Sequence, residues 1–548
     1  MESSKDVVVH DAKRAKLRLA TADHHGGTAA AGWQKDLISG LCDDVLLRIL
    51  GLVPDATDAV RTGALSRRWR GLWTRAPALR FTLWPRNRIC WPHRLDNAER
   101  FIAFASNVLA LRAQQSGDAA IEHLKISFPF DFEGDTDQLL RLQSIRAAET
   151  WIRCAAQQSV KSFCFDQRLP RRPIPAAENG DEEDEDERDE GPDVMVLDDL
   201  PSSEKLETMS LDLDGGCRVR LPSAVVFASL VDLTIKFMKV AAGSGHLLAR
   251  LLSSDCCPSL QKLCMWFVRL PSGMNELLLE NSSLLELTLD DMDDMSLIEL
   301  RTPSLRVLEV KECMDLEVLV VSAPRLEELM FLENSSQVLI DGDLSSVGRL
   351  KLDLYAHRPT DDHESNVSLL QRCTSARFLD VSLKLTAKED VHNIDIIKGR
   401  IPHLDHVTSL NVHISPLKRH SFGDYVARLL SLFRNLAYLC LDFDTYIKPD
   451  DQCLGSDFIC DHLDHWKSYE ISSLHLQKAE FRGLTGTDCE LHFFRSVLAS
   501  ARQLQMVVVS FNPNYSVEEK RDDLQNMLLG GGTWSDCHWS YERRPCQR

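Results

Sequence analysis

Long apolar runs are missing from this sequence. Nowhere do about eighteen apolar residues follow one another, so no membrane-spanning helix is expected. Positive charge is in short supply as well: Lys and Arg number 63 against 82 Asp and Glu, a net charge of −19. So acidic a balance argues against nucleic acid as a partner, because phosphate-backbone binding needs clustered cations. It leaves room for a basic protein partner. The cysteines form no compact framework. Cys42, Cys90, Cys154, Cys217, Cys256, Cys313, Cys373 and Cys440 are strung along the chain and read as reduced thiols, many of them buried. Lys5, Asp6, Asp11, Lys13, Arg14, Lys16 and Arg18 are followed by no apolar core. No secretory signal is therefore expected, and the compartment is expected to be nucleus, cytoplasm or both.

Motifs of catalysis are missing too. There is no G-x-x-x-x-G-K-[ST] or G-x-G-x-x-G loop to cradle phosphate; Gly243-Ser244-Gly245 lacks both the lysine and the preceding pattern. Neither G-x-S-x-G nor H-E-x-x-H occurs. Cys453, Cys460, His462 and His465 are the best metal candidates, but their spacing matches none of the paired-ligand zinc patterns. No metal, cofactor or catalytic residue is expected.

What the chain does have is a recurring phrase: apolar, two others, apolar, one other, apolar. It occurs as Ile121–Leu124–Ile126, Val160–Phe163–Phe165, Leu206–Met209–Leu211 and Leu230–Leu233–Ile235. The recurrence then tightens through Leu260–Leu263–Met265, Leu284–Leu287–Leu289, Leu305–Leu308–Val310, Leu326–Leu329–Phe331 and Val347–Leu350–Leu352. The last four of these step by a constant 21 residues, which is the leucine-rich-repeat phrase at the leucine-rich-repeat period. Cys313 and Asn334 stand where such phrases close. Looser units follow at Ala376–Leu379–Val381, Val407–Leu410–Val412, Leu436–Leu439–Leu441, Ile471–Leu474–Leu476 and Leu504–Val507–Val509. Wider spacing there predicts helices over His420–Phe433 and Leu491–Leu504. One unit cannot bury its own leucines, so the units must stack into a curved parallel sheet with helices on the convex side, an α/β solenoid. Residues between the leucines then face outward. In the regular units these are Glu286, Thr288, Asp290, Val307, Glu309, Lys311, Glu328, Met330, Arg349, Lys351 and Asp353.

Ahead of the repeats, residues 36–73 break into three helical phrases. Asp43 or Asp44 can cap the first, whose Val45, Leu46, Ile49, Leu50 and Val53 share a face before Pro54. Asp58–Leu65 is the second, with Val60, Ala64 and Leu65 inward. Ser66 caps the third, which sets Trp69, Leu72 and Trp73 on one side and Arg67, Arg68 and Arg70 on the other. Three helices in so short a stretch cannot close a core of their own, so the rest of the chain or a partner must cover them.

Asp36, Leu37, Ile38, Ser39, Leu41, Asp43, Leu46, Leu47, Ile49, Leu50, Ala59, Val60, Leu65, Ser66, Arg67, Arg68, Trp69 and Trp73 together resemble an F-box. That helical module docks F-box proteins onto the Skp-type adaptor of a cullin-based ubiquitin ligase. The LSRRWRGLW ending is close to the plant form, and Cys42 stands where the family usually has proline. From about Trp466 to Phe511, through ISSLHLQKAEFRG, Glu490, Phe493, Phe494, Leu498, Ala501, Leu504, Val507 and Val509, the chain resembles the FBD tail of plant F-box/leucine-rich-repeat proteins.

The resemblance implies a substrate-recognition subunit that supplies no catalytic group. Leu41, Leu46, Ile49, Leu50, Val60, Leu65, Trp69 and Trp73 would meet the adaptor, and through it a cullin scaffold, with the two tryptophans as hot spots. Glu286, Thr288, Asp290, Glu309, Lys311, Glu328, Met330, Arg349 and Lys351 would meet an unidentified target protein. An alternative is a repeat scaffold that recruits no target for ubiquitination. A further one makes the helices a mere cap, with Trp69 and Trp73 covered by residues 77–130 and no surface left over.

The expected organisation is a disordered arm over 1–33, the F-box over 34–76, and a linker with capping helix Ala98–Ala110 within 77–118. The solenoid follows over 119–445, interrupted by a disordered acidic insert at about 170–195. FBD-like repeats over 446–515 and a tail over 516–548 complete it.

Overall fold

A Leu-x-x-Leu-x-Leu phrase becomes a strand when alternate residues face opposite ways, and the chain takes that form unit after unit. The computed structural model describes residues 38, 40–83, 91–114, 120–129, 138–169, 194–214, 216–335, 337–355, 364–385, 401, 403–416, 422–443, 469, 471, 473–484, 488–499, 501–512 and 538–543. Three helices come first, α1 (Asp43–Gly51), α2 (Ala56–Arg61) and α3 (Arg67–Leu72), then β1 (Ala78–Thr82). Next are α4 (Trp91–Gln114), β2 (His123–Pro129), α5 (Gln138–Ala156), β3 (Ser162–Arg168), β4 (Val194–Val196), β5 (Thr208–Asp212), β6 (Arg218–Arg220), β7 (Asp232–Lys236), β8 (Lys239–Val240) and α6 (Gly245–Leu251). The regular middle holds β9 (Lys262–Trp266), β10 (Glu276–Glu280), β11 (Glu286–Asp290), β12 (Leu297–Arg301), β13 (Val307–Lys311), β14 (Val318–Ser322), β15 (Glu328–Leu332), β16 (Leu339–Gly342) and β17 (Arg349–Tyr355). Last come α7 (Glu364–Arg372), β18 (Phe378–Leu385), β19 (Ser409–Pro416), α8 (Phe422–Leu430), β20 (Tyr438–Phe443), β21 (Lys478–Leu484), α9 (Asp488–Ala499), β22 (Met506–Phe511) and β23 (His538–Arg543).

Sixteen described strands form one parallel sheet, β1-β2-β3-β5-β7-β9-β11-β13-β15-β17-β18-β19-β20-β21-β22-β23. A sheet that gains one parallel strand per turn, in chain order, is the wall of a leucine-rich-repeat solenoid. Register follows the phrase. Leu263, Leu287, Leu308, Leu329 and Leu350 pair across neighbouring strands and are all buried. Because each strand places its leucines alike, one slip would turn a whole column to solvent.

Immediately after the strand, five successive units carry a residue in the left-handed region: Phe237, Phe267, Asp291, Glu312 and Glu333, all with φ between 51° and 54°. The N–H at that turn donates to the neighbouring unit, as from Asp291 to the Lys311 carbonyl at 3.0 Å. The phrase-closing Asn334 stitches two turns together: its Oδ1 accepts from the Cys313 N–H (3.0 Å) and its Nδ2 donates to the Val310 carbonyl (2.8 Å).

The convex side differs from the expected helices in the regular units. A second parallel sheet, β10-β12-β14-β16, stands there, and β4-β6-β8 forms a third. A 21-residue turn that already holds one strand and two bends has little room for a helix, so the return segment stays extended. Arg372 of α7 closes the β16 edge by donating to the Ile340 and Gly342 carbonyls. Where spacing widens, helices do appear: α8 and α9 fall on the two segments read as helical, at Phe422–Leu430 and Asp488–Ala499. The helix expected over Ala98–Ala110 lies within α4.

One phrase was read in the wrong register. Leu474 is exposed, and the buried set is Leu476, just before β21, with Ala479 and Phe481 on the strand, where alanine takes the place of a leucine. The expected arm over 1–33, residues 170–193 of the acidic insert, and Cys453, Cys460, His462 and His465 lie outside the described residues. Of the expected tail, 538–543 form β23 on the end of the long sheet, and the rest lies outside the described residues.

Candidate functional site

The N-terminal helices are held by polar pins as well as by apolar packing. α1 has no side-chain cap: Cys42 occupies the N-cap position, and neither Asp43 nor Asp44 takes that role. Asp43 instead accepts from Arg68 of α3 at 2.6 and 2.9 Å, and Arg68 also donates to the Leu41 carbonyl. Asp55 caps α2 by accepting from the Thr57 N–H at 2.7 Å, and Ser66 caps α3. The end of α1 is tied to the sheet: Arg80 of β1 donates to the carbonyl of Gly51, its last residue (2.7 Å), and to that of Val53 just beyond (3.2 Å). Arg112, buried on α4 and pushed down to about 10 by that burial, donates to the Ala76 carbonyl at 3.1 Å. Helical module and first strand are thereby joined without a slack linker.

Burial divides the eight residues assigned to adaptor contact. Leu46, Leu50, Trp69 and Trp73 are buried in the chain's own core, with Trp73 only 9% exposed. Leu41 and Val60 are half-buried against that core. Ile49 and Leu65 face solvent, so Leu65 and Ala64 do not point inward as the pattern predicted. The tryptophans present little surface, for a physical reason: the largest apolar side chains gain most from burial and go to the nearest available core. Sequence reasoning missed Val45 and Leu52 as outward residues. Val45, Ile49 and Leu52 recur at four and three residues, a second stripe beside the buried Leu46–Leu50 pair. With Ile38 and Leu65 they put five exposed large apolar residues within positions 38–65, Leu52 at 81% and Leu65 at 70%. The cap reading supposed that covered tryptophans would leave no surface. Here the tryptophans are covered and an apolar surface remains.

On the long sheet, Glu286, Thr288, Asp290, Glu309, Lys311, Glu328, Met330, Arg349 and Lys351 lie on the outward alternate positions. Ion pairs engage many of them: Lys262 with Glu286 (2.6 Å) and Arg349 with Glu328 (3.6 Å) between neighbouring strands, and Lys311 with Glu309 along β13. Asp353, read as outward, is instead buried, its Oδ2 accepting from the Glu333 N–H at 2.6 Å.

Further along the same face Asp166 and Asp212 stand in register on β3 and β5. Burial and the neighbouring Asp166 carboxylate push Asp212 up to about 6, against the pull of Arg168 and Lys236. A folded-state pKa above the ordinary value of 3.8 means that the fold resists ionisation. This group's contribution is therefore most favourable at low pH and is lost as pH rises from about 4 to about 6. Asp212→Asn is expected to raise Tm at pH 7.5 and flatten the Tm profile between those values; a lower Tm at pH 7.5 would refute it.

The thiols near the repeats carry no sign of activation. Cys257 donates to the Leu251 carbonyl, and burial pushes Cys257, Cys313 and Cys373 each up to about 12. Among the described residues no group of three His, Cys, Asp or Glu could hold a metal ion, and no helix is long and apolar enough to cross a membrane.

A family model described as "FBD-associated F-box protein At5g56370, LRR repeats" matches residues 199–343, the span from just before β5 to just after β16. The chain is 24% identical over 422 residues to F-box/FBD/LRR-repeat protein At1g80470 of Arabidopsis thaliana, covering 75% of this chain and 74% of that one. The chain is similar to plant F-box/leucine-rich-repeat proteins. F-box/FBD/LRR-repeat protein At5g56420 of the same plant is 26% identical over 393 residues, 68% of this chain and 78% of its own. F-box/LRR-repeat protein 25, also from Arabidopsis thaliana, is 44% identical over 46 residues, 8% of this chain and 18% of that protein.

Proposed function

We propose that this protein is the target-recognition subunit of a Skp-cullin-F-box ubiquitin ligase, acting in the nucleus, the cytoplasm or both. The observation that carries this reading is the exposed stripe Val45–Ile49–Leu52, with Ile38 and Leu65, on helices whose other side is locked to the solenoid. Large apolar side chains left in water on an otherwise well-packed module are what a partner surface needs. A Skp-type adaptor would cover them, and the long sheet would hold the target. The chain would contribute no reacting group. It would raise the effective concentration of a target lysine near the ubiquitin-charged enzyme.

The test is capture of a purified Skp-type adaptor by the full chain. Leu52→Asp/Leu65→Asp is expected to lower capture by about a hundredfold or more, since a carboxylate would be buried without a partner at the interface. Circular dichroism should stay unchanged, because both side chains are solvent-facing. Equal capture by both proteins would sink the proposal.

A further inference from the structure

The left-handed turn that follows each main-sheet strand forms a row along one rim of the sheet: Phe237, Phe267, Asp291, Glu312 and Glu333. A phenylalanine or a long acidic side chain is an unusual occupant of that backbone region, which glycine or asparagine fills more readily. The first two positions are aromatic, and Trp266, 36% exposed, joins them with its ring centroid 5.0 Å from that of Phe237. Phe237 in turn lies 5.5 Å from Phe267. The step has cations at its edge, Lys236 over Trp266 and Arg269 over Phe267.

Carboxylates take over from the aromatic step. Arg269 answers Asp293 at 2.6 Å, and Lys384 answers Glu333. Among the described residues no ion pair reaches Asp291 or Glu312. Partial burial, with Asp293, Glu312 and Asp290 crowding around, holds Asp291 above the usual carboxylate range. Beside this row opens a groove of about 660 Å³ whose lining includes Asp294, Asp315 and Glu317, with Met314 and Leu316. That volume suits several side chains of a bound segment.

We propose that this rim is where the target binds, and that its occupant is an extended protein segment carrying an aromatic or aliphatic residue followed by arginine or lysine. The inference rests on the reading of the long sheet as a target-holding surface and adds the chemistry of what it holds. Charge complementarity selects the occupant: a cationic segment meets surplus carboxylates, whereas an acidic one would meet repulsion. The geometry suits an extended chain. Five turn positions at about 4.8 Å per strand span roughly 19 Å, the reach of about six extended residues. The apolar residue would rest on the Trp266–Phe237–Phe267 step, and the cations would lie over Asp291 and Glu312 with one side chain in the groove.

Fluorescence anisotropy on the full chain tests this with a labelled synthetic peptide bearing a tryptophan followed by arginines at alternate positions. The same peptide with glutamate for arginine is the comparison. Only the arginine peptide is expected to bind. Asp291→Asn/Glu312→Gln should weaken it about tenfold, from the loss of two exposed charge pairs, and Trp266→Ala about threefold to tenfold. A charge-matched control on the other sheet, Glu276→Gln/Glu280→Gln, should leave binding unchanged. Equal weakening by that control would reduce the attraction to general charge and overturn the proposal, as would failure of the arginine peptide to bind. Adaptor capture measured on the same proteins keeps the two readings apart. Retained capture with no peptide binding refutes the rim, and lost capture with peptide binding intact refutes only the docking.

Discussion

Trp73→Ala is expected to cost about 3–5 kcal/mol of stability, the range for removing a buried aromatic side chain. The ring is closely packed: a Cβ on Gly63 would lie 3.5 Å from Trp73 Cδ1 and Nε1, so the turn after α2 that carries Gly63 sits close against it. Around it are Leu46, Leu50, Ala59 and Leu72, all buried in the core that also holds Leu79 and Phe81 of β1. Chemical denaturation followed by tryptophan fluorescence and by far-UV circular dichroism would measure the loss. Leu65→Ala makes the contrast. At 70% exposure it should change stability by less than about 0.5 kcal/mol while weakening adaptor capture. If Trp73→Ala left stability untouched and removed only capture, the helical module would not be packed as described here.

Gly342→Ala is expected to cost about 3–5 kcal/mol, combining an unfavourable backbone region with a steric overlap. Its φ is 126°, and an added Cβ would lie 2.1 Å from the Val321 carbonyl oxygen on the neighbouring strand β14. Backbone cannot step aside there, because β14 is held between β12 and β16. The same carbonyl-rich corner receives the Arg372 guanidinium, so distortion at Gly342 should also loosen α7. Gly216→Ala is the control. Its φ of 69° is also positive, yet nothing lies within 4 Å of the added carbon, and a loss of only about 1 kcal/mol is expected. Urea midpoints for the two variants would separate strain from overlap; equal shifts would remove the steric part.

The leucine phrase was legible because burial repeats it: a column such as Leu263, Leu287, Leu308, Leu329 and Leu350 has one place to go. It failed at β21, where Ala479 occupies an inward position and the eye slides to Leu474. Helix α5 was not anticipated, although Ala148, Trp151, Ile152 and Ala155 carry a helical period. The convex strands were not legible either, because short apolar runs such as Leu277–Leu279 suit strand or helix alike until the turn length is counted. On α1 the pattern offered two overlapping apolar stripes, and periodicity alone does not say which one packs. Leu46 and Leu50 went inward; Val45 and Ile49 stayed in water. The exposed apolar stripe is therefore a tertiary fact. So is the rim, since Phe237, Phe267, Asp291, Glu312 and Glu333 meet only when five units are stacked.

The strand ladder also serves as a gauge. With Arg80 pinning α1 to the first strand, the helical module rides on a stiff rail with no hinge at that junction. From β1 to β11 the rail counts six strand steps, roughly 29 Å along the sheet at about 4.8 Å a step. Adding or deleting one whole unit between them would carry anything held at the rim about one step along and turn it slightly about the axis. Distance in such a molecule is digital: the separation between its helical end and its rim changes in whole repeats, leaving both surfaces unaltered.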